Sequence, residues 1–270
     1  MGRSRAHLGA GCVGVLAGFA LAAAPALADS PASQSHRAGG PLSMPTGAAM
    51  ATTTGTQSEY LGGYEVVQPE GISSAGSTFR LPKFSCPVTG VIQHAGFGEF
   101  LNNAAGDLYQ DGGGTDAYAV GSITCSFGEP EYTINADTAG GTEADQDMDI
   151  NQGDLIQTRV EELPSGNAVA TVNDLTSGQQ VSSQGPSNGD DVQMYEGIIP
   201  DVYDEVFDNS LTIPKFKTVE LSRSQVGGLH LSQVDPIATV LDQDGPVMVT
   251  PSAIAAHHPG AFTLTEKHDN

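Results

Sequence analysis

A single carboxylate lies within an otherwise uncharged stretch of the sequence, at residues 194–200 (MYEGIIP). The composition of this stretch is typical of a buried β-strand. A carboxylate in such surroundings is costly unless it faces a cleft or has a hydrogen-bonding partner. Glu196 is therefore the first candidate for acid–base chemistry, and a structural, hydrogen-bonded carboxylate is the alternative interpretation.

A second group of acidic side chains alternates with other residues and would point to one face of a strand. Its members are Asp145, Asp147, Asp149 and Asn151. Calcium binding is one interpretation, but Ile150 stands where a helix-loop-helix calcium loop requires Gly, and no Glu closes the loop. A solvated strand face is the alternative.

The remaining polar motifs give weaker signals. His257 and His258 are adjacent and would point apart on a strand, so we interpret them as an exposed turn rather than a metal pair. Residues 97–100 and 112–114 are interpreted as loops. We find no nucleophile elbow and no phosphate-binding loop, and we expect neither a cofactor nor a metal ion.

The N-terminal region has the features of a secretory signal peptide over residues 1–28. Arg3 and Arg5 precede an apolar run at residues 8–24, and small residues follow at a cleavage site. A membrane anchor is the alternative interpretation. Residues 29–59 are rich in Ser, Thr, Gly and Ala, which predicts a disordered arm or a propeptide remnant. We therefore expect a secreted protein that is not associated with a membrane in its mature form.

The charge balance limits the classes of partner. The chain has 32 acidic residues and ten lysines and arginines, a formal net charge of −22. Such a chain repels nucleic acid and anionic lipid. We expect a monomer whose substrate or ligand is a polypeptide, although the acidic surface also has a simple role in solubility.

Two cysteines remain after the signal peptide, which contains Cys12, is removed. Cys86 and Cys125 form an even pair in an oxidising compartment, which predicts a disulfide. Closing a loop of about 40 residues stabilises a fold by roughly 4 kcal/mol on the chain-entropy model. Two free buried thiols are the alternative.

From Tyr60 onward the sequence changes to short apolar stretches between Gly, Pro, Asn and Asp turns. We predict thirteen strands, among them residues 90–97, 192–199 and 212–221, and no long stretch with helical periodicity. The sequence therefore predicts one all-β domain at residues 60–268, an antiparallel β-sandwich of two packed sheets.

Eight segments in this order resemble the glutamic peptidases (eqolisins), a resemblance that extends from about Tyr60 to His268. They are residues 61–64 (LGGY), 77–82 (STFRLP), 93–98 (QHAGFG), 125–132 (CSFGEPEY), 173–178 (NDLTSG), 195–198 (YEGI), 211–219 (LTIPKFKTV), and the closing pair 251–253 (PSA) with 262–265 (FTLT). The resemblance implies a concanavalin-like sandwich and, as in the bacterial members, a disulfide between Cys86 and Cys125.

The resemblance also implies a catalytic pair, of which only one member is present. In the family a Glu activates the attacking water and a Gln side-chain amide stabilises the oxyanion. Glu196 stands at the Glu position, and Ala119 stands at the Gln position. Loss of one oxyanion donor typically lowers the rate by roughly 10²–10³. Gln93 is one alternative donor, but the preceding family strand and its loops would then have no room between Pro82 and Gln93. Gln193 is a poor substitute, because it lies three residues before Glu196 and points to the opposite face of a regular strand.

The substrate groove also departs from the family pattern. The chain contains no Trp, and Leu61, His94, Asn135 and Gly197 stand at positions where the family usually has one. Asp137 stands where the family has Glu. The resemblance thus implies an acid endopeptidase that is weak or inactive. The alternative is a non-catalytic exported protein that binds a peptide, a glycan or a protein partner in the former cleft.

Overall fold

The computed structural model describes nine ranges of the chain, all within one compact unit, Ala51–Asn270. The ranges are 56–58, 61–86, 93–103, 115–138, 144–146, 150–187, 191–200, 213–242 and 247–267. The predicted signal peptide, most of the predicted arm, Asp147 and Asp149 lie outside the described residues. Within these ranges, no helix is long and apolar enough to cross a membrane.

Sixteen β-strands account for most of the described chain. They are β1 (Thr56–Ser58), β2 (Gly62–Val67), β3 (Ser74–Arg80), β4 (Gln93–Asn103), β5 (Thr115–Ser126), β6 (Glu129–Thr138), β7 (Ala144–Gln146), β8 (Leu155–Glu162), β9 (Asn167–Asp174), β10 (Gln179–Pro186), β11 (Asp191–Pro200), β12 (Thr218–Val226), β13 (Leu229–His230), β14 (Ile237–Asp242), β15 (Val247–Pro251) and β16 (Phe262–Glu266). The one helical element among the described residues is a single 3₁₀ turn, Leu231–Gln233.

The strands are joined by hydrogen bonds into one continuous path. Its order is β10-β9-β8-β3-β12-β16-β15-β14-β2-β11-β4-β5-β6-β7, with β13 added beside β12 and β1 added beside β14. Every pairing is antiparallel except the one between β1 and β14. The path folds back on itself, because β4 and β5 contact β8, β6 contacts β9 and β10, and β7 contacts β10.

Period-two alternation explains why these stretches form strands. Along β9 the residues at 168, 170, 172 and 174 are buried, and those between them are half-buried. Where the path folds back on itself, the buried side chains of the facing strands form one main hydrophobic core. In this core Phe84, Phe97 and Phe216 make ring contacts with one another. Antiparallel sheets with one apolar face fold by covering that face.

The prediction of an all-β antiparallel domain is confirmed. The strands form one continuous hydrogen-bonded path, because β16, β15 and β14 link β12 to β2. The loop interpretation of residues 97–100 is wrong, because they lie inside β4. Gly96 and Gly98 made this stretch resemble a loop, yet strand pairing on both sides keeps it extended.

The predicted disulfide is present. Cys86 is bonded to Cys125, and their Cα atoms lie 5.3 Å apart. Cys125 is near the end of β5, and Cys86 follows the single bridge that pairs Ser85 with Lys215. The bond therefore ties the connection after β3 to the end of β5.

Candidate functional site

Glu196 lies in β11, between two strands that pair with it on both sides. Its cross-strand partners are Tyr64 on β2 and Glu99 on β4. Glu99 in turn pairs with Ala119 on β5. Two glutamates therefore lie side by side on adjacent strands, with Tyr64 on one flank and Ala119 on the other.

Both glutamates face the main core. On β11, Glu196 alternates with Met194 and Ile198, which belong to the main core cluster. On β4, Glu99 alternates with Phe97 and Leu101, which belong to the same cluster. Neither Glu99 nor Glu196 has any exposed surface (0% each). Most carboxylates in folded proteins are exposed, so this pair is a strong departure from the usual distribution.

Hydroxyl groups from the facing strands surround the two carboxyls. Ser224 on β12 donates a short hydrogen bond to Oε1 of Glu196. An irregularity in the pairing of β12 with β3 falls between Ser222 and Gln225, and Arg223 there has a φ of 58°. Such a bulge redirects side chains, and here it accompanies a Ser224 hydroxyl that points to the interior.

Ser77 on β3 and Thr158 on β8 lie on the other side of the pair. Their hydroxyls are 3.3 Å apart and hydrogen-bond to each other. They lie close enough to Glu99 to lower its pKa, but neither is in hydrogen-bonding geometry with it. Both oxygens of Glu99 and Oε2 of Glu196 are buried without a hydrogen-bond partner.

Burial dominates the electrostatics of the pair. Removal from water raises the pKa of Glu99 to about 7, against the smaller lowering from the nearby hydroxyls. Burial, followed by repulsion from Glu99, raises the pKa of Glu196 well above its ordinary value, and Ser224 and Ser77 offset part of the rise. Two adjacent carboxyls without a cation cannot both ionise readily, so protonation of at least one is strongly favoured.

The two other predicted site residues occupy different positions. Ala119 is fully buried, and Glu99 stands between it and Glu196 in the cross-strand row. Gln93 is at the start of β4, and at roughly 3.4 Å per residue it lies about 20 Å along the strand from Glu99. Position 119 carries no side-chain amide, and Gln93 is distant along its strand. Neither residue therefore supplies an oxyanion donor beside Glu196.

The opposite face of the same strands carries the positions where the resemblance implies a substrate groove. Leu61 belongs to a second, smaller apolar cluster that also contains Val120. Asn135 is the cross-strand partner of Val120 on that face. His94 is hydrogen-bonded there to Thr124 (Nδ1···Oγ1 2.8 Å). Because side chains alternate along a strand, the groove positions and Glu196 lie on opposite faces of the sheet.

Aromatic side chains occupy the centre of this second face, which we call the outer face. It is defined by the cross-strand row Glu65, Tyr195, Phe100, Tyr118 and Asp137 on β2, β11, β4, β5 and β6. The rings of Phe100 and Tyr118 are stacked with centroids 5.7 Å apart. Partial burial raises the pKa of Glu65 at one end of the row.

No metal centre is found in the described ranges, where no three His, Cys, Asp or Glu side chains are grouped. Only the backbone of Asp145 is described, in β7, so the calcium interpretation stays a prediction. His257 and His258 lie in an exposed turn, as predicted.

Sequence reasoning missed four members of the site: Glu99, Ser224, Ser77 and Thr158. A signal for Glu99 was present, because residues 93–101 contain one charge among mostly apolar and small residues, as residues 194–200 do. The three hydroxyls gave no such signal, since Ser and Thr are common in strands of any exposure.

Comparison with solved structures identifies the fold. The chain is similar to scytalido-glutamic peptidase with a transition-state analogue inhibitor, at a TM-score of 0.57 and 16% identity, over 78% of this chain and 98% of that one. It is also similar to SCP-B, an eqolisin in complex with the tripeptide Ala-Ile-His, at a TM-score of 0.51 and 17% identity, over 76% and 97%.

The likeness is one of structure and not of sequence. No family model matches the sequence, and no curated protein sequence matches it either. The matches nevertheless cover nearly the whole of the solved peptidases. This chain therefore has the fold of the glutamic peptidases.

Proposed function

We propose that this protein is an exported, peptide-binding relative of the glutamic peptidases that does not use Glu196 to cleave peptides. The observation that carries the proposal is the separation of the two faces. Glu196 points into the closed core with no exposed surface, while the groove positions lie on the outer face. A general base must come within hydrogen-bond reach of the proton that it removes.

The outer face has the chemistry of a peptide-binding surface. Stacked aromatic rings offer large contact area at low entropic cost, and Phe100 and Tyr118 provide it. Gln193 accepts hydrogen bonds from Tyr195 (3.4 Å) and from Asn102 (3.5 Å), which fixes polar groups beside the rings. This arrangement supports the non-catalytic interpretation and a polypeptide ligand.

Charge specifies the ligand further. Glu65 and Asp137 stand at the two ends of the aromatic row, and the whole chain has a formal charge of −22. Such a surface attracts cationic groups and repels anionic ones. The proposed ligand is an extended segment of polypeptide that carries at least one basic side chain.

Three finer features belong to the same proposal. The folded-over path of strands is a sandwich of two layers, supported by the contacts of β4, β5 and β6 with β8, β9 and β10. Export follows from the N-terminal sequence, with cleavage after residue 28 and a monomeric mature chain. The disulfide between Cys86 and Cys125 supports an oxidising compartment.

The first experiment measures hydrolysis of denatured casein at acidic pH by the natural chain and by Glu196→Gln. We expect both to show the same background rate, since neither carboxyl reaches the outer face. Robust hydrolysis that Glu196→Gln abolishes would overturn the proposal and restore the peptidase interpretation.

The second experiment measures binding of a fluorescently labelled Ala-Ile-His tripeptide by anisotropy near neutral pH. Loss of an aromatic contact costs about 1 kcal/mol, so Tyr118→Ala should weaken binding about fivefold. Asp137→Asn should weaken it through loss of charge. Gln184→Ala, an exposed change on β10, is the matched control and should leave binding unchanged. Equal affinity for all four proteins would contradict a ligand on the outer face.

A further inference from the structure

The glutamate pair in the core has no role in the proposed function, yet it is the most unusual electrostatic feature of the described structure. Glu99 and Glu196 are cross-strand neighbours, and both are completely buried. No lysine or arginine in the described ranges can neutralise them, because every one of these basic residues is exposed.

The groups around the pair come from five other strands. Tyr64 on β2 is its titratable neighbour, but the Tyr64 hydroxyl donates to the carbonyl oxygen of Ser252 (2.7 Å). Ala119 on β5 is apolar. The facing strands β12, β3 and β8 contribute only the neutral hydroxyls of Ser224, Ser77 and Thr158.

Hydrogen-bond accounting indicates what neutralises the pair. Three of its four carboxyl oxygens have no partner, whereas the fourth accepts from Ser224. An ionised carboxylate can only accept, and each unsatisfied buried oxygen is costly. A protonated carboxyl is neutral and can donate as well as accept a hydrogen bond, so protonation lowers the cost of burying these oxygens.

We propose that Glu99 and Glu196 form a buried proton-binding site that holds at least one proton in the folded state, so that the protein folds with proton uptake and is most stable in acid. The site is independent of the ligand proposed for the outer face. It is built from β11 and β4 together with the β12 bulge at Arg223 and Ser224.

A polar pocket lies close to the pair. A polar surface pocket of about 270 Å³ is lined by Ser77 and Thr158, and these are the two residues that lie beside Glu99. Solvent in the pocket is therefore separated from Glu99 by these hydroxyl-bearing residues. Hydroxyl groups both donate and accept, so they are suited to pass a proton.

The direction of the pH dependence follows from linkage. Burial raises the folded-state pKa of Glu99 to about 7, above its value in an unfolded chain. The folded state then holds protons that the unfolded state has released, so stability falls as the pH rises between the two values. For Glu99 alone, a difference of about 2.5 units corresponds to a loss of about 300-fold in the folding equilibrium constant.

The test compares urea unfolding from about pH 3 to about pH 8 for the natural chain and for Glu99→Gln. The amide of Gln is neutral, is close in size to a carboxyl and carries no proton that titrates. We expect the folding equilibrium constant of the natural chain to fall steeply above about pH 5. For each pH unit in that range, the fall should be about tenfold smaller in Glu99→Gln. Glu220→Gln, an exposed change on β12, is the control for general charge repulsion and should keep the natural slope.

Two results would overturn the proposal. One is an identical pH slope for Glu99→Gln and Glu220→Gln. The other is a stabilisation at neutral pH by calcium that is present in the natural chain and absent in Glu99→Gln, which would show that the site holds a cation rather than a proton.

A measurement on the natural chain covers the case in which Glu99→Gln does not fold. NMR of protein labelled with ¹³C at the glutamate carboxyls should show one carboxyl that titrates near neutral pH. If all described glutamates titrate near the ordinary value, the proposal fails.

Discussion

Three glycines form a cross-strand row on β2, β11 and β4. Gly63 pairs with Gly197, and Gly197 pairs with Gly98. Gly98 and Gly197 are the chain neighbours of Glu99 and Glu196, so the row lies directly beside the glutamate pair. We predict that adding one methyl group at Gly98 is severely destabilising.

The structure gives the reason. A Cβ at Gly98 would overlap the backbone carbonyl oxygen of Ala119 and would lie 3.0 Å from the Cα of Val120. Both obstacles are backbone atoms, so no side-chain rotation relieves them. Gly98 also has a φ of 154°, which L-residues rarely adopt.

The magnitude has two parts. The unfavourable backbone conformation costs about 1–3 kcal/mol. Moving β4 away from β5 weakens neighbouring ladder hydrogen bonds, each worth about 1 kcal/mol net. Together we expect Gly98→Ala to lower the free energy of unfolding by about 3–5 kcal/mol, a large share of the stability of a typical domain.

The assay is urea unfolding followed by circular dichroism, with Gly166→Ala as the matched control. Gly166 also has a positive φ, of 76°, but a Cβ there meets nothing within 4 Å. The control therefore isolates the cost of the left-handed conformation, about 1–2 kcal/mol. If Gly98→Ala is no more destabilising than Gly166→Ala, the close approach of the strands is refuted.

Three further changes test other parts of the structure. Replacing Cys86 and Cys125 together by Ala should lower the free energy of unfolding by about 4 kcal/mol in urea titrations, and equal stability would contradict a role for the disulfide. Ala119→Gln should give no hydrolysis of denatured casein, because residue 119 faces the core, and new hydrolysis would place it on the groove face instead. The same change should lower the free energy of unfolding by about 1–3 kcal/mol through overpacking. Ser224→Ala should remove the hydrogen bond to Glu196 and cost about 1–3 kcal/mol in unfolding titrations, whereas Ser182→Ala, at an exposed position on β10, should cost less. Equal costs would argue against that hydrogen bond.

The sequence alone was sufficient for features that depend on local pattern or on counting. The pattern of short apolar stretches predicted a strand at residues 192–199, and Glu196 does lie on that strand, β11. The parity of the mature cysteines predicted the bond between Cys86 and Cys125. These signals are local because the direction of a strand side chain is set by the backbone itself.

The direction in which Glu196 points required the tertiary structure. Alternation states that Glu196 and Gly197 face opposite ways, but it does not state which of the two faces is covered. That choice depends on β3, β8 and β12, which are distant in sequence and close the core over the glutamates.

The pairing of Glu196 with Glu99 was also decided only by tertiary structure. The two residues are 97 positions apart, and their contact depends on the register between β11 and β4. Register is a property of two strands together, so each glutamate could be recognised from its own segment but not the pair. The protonation of the site follows from that pairing and from burial, neither of which is encoded in either segment by itself.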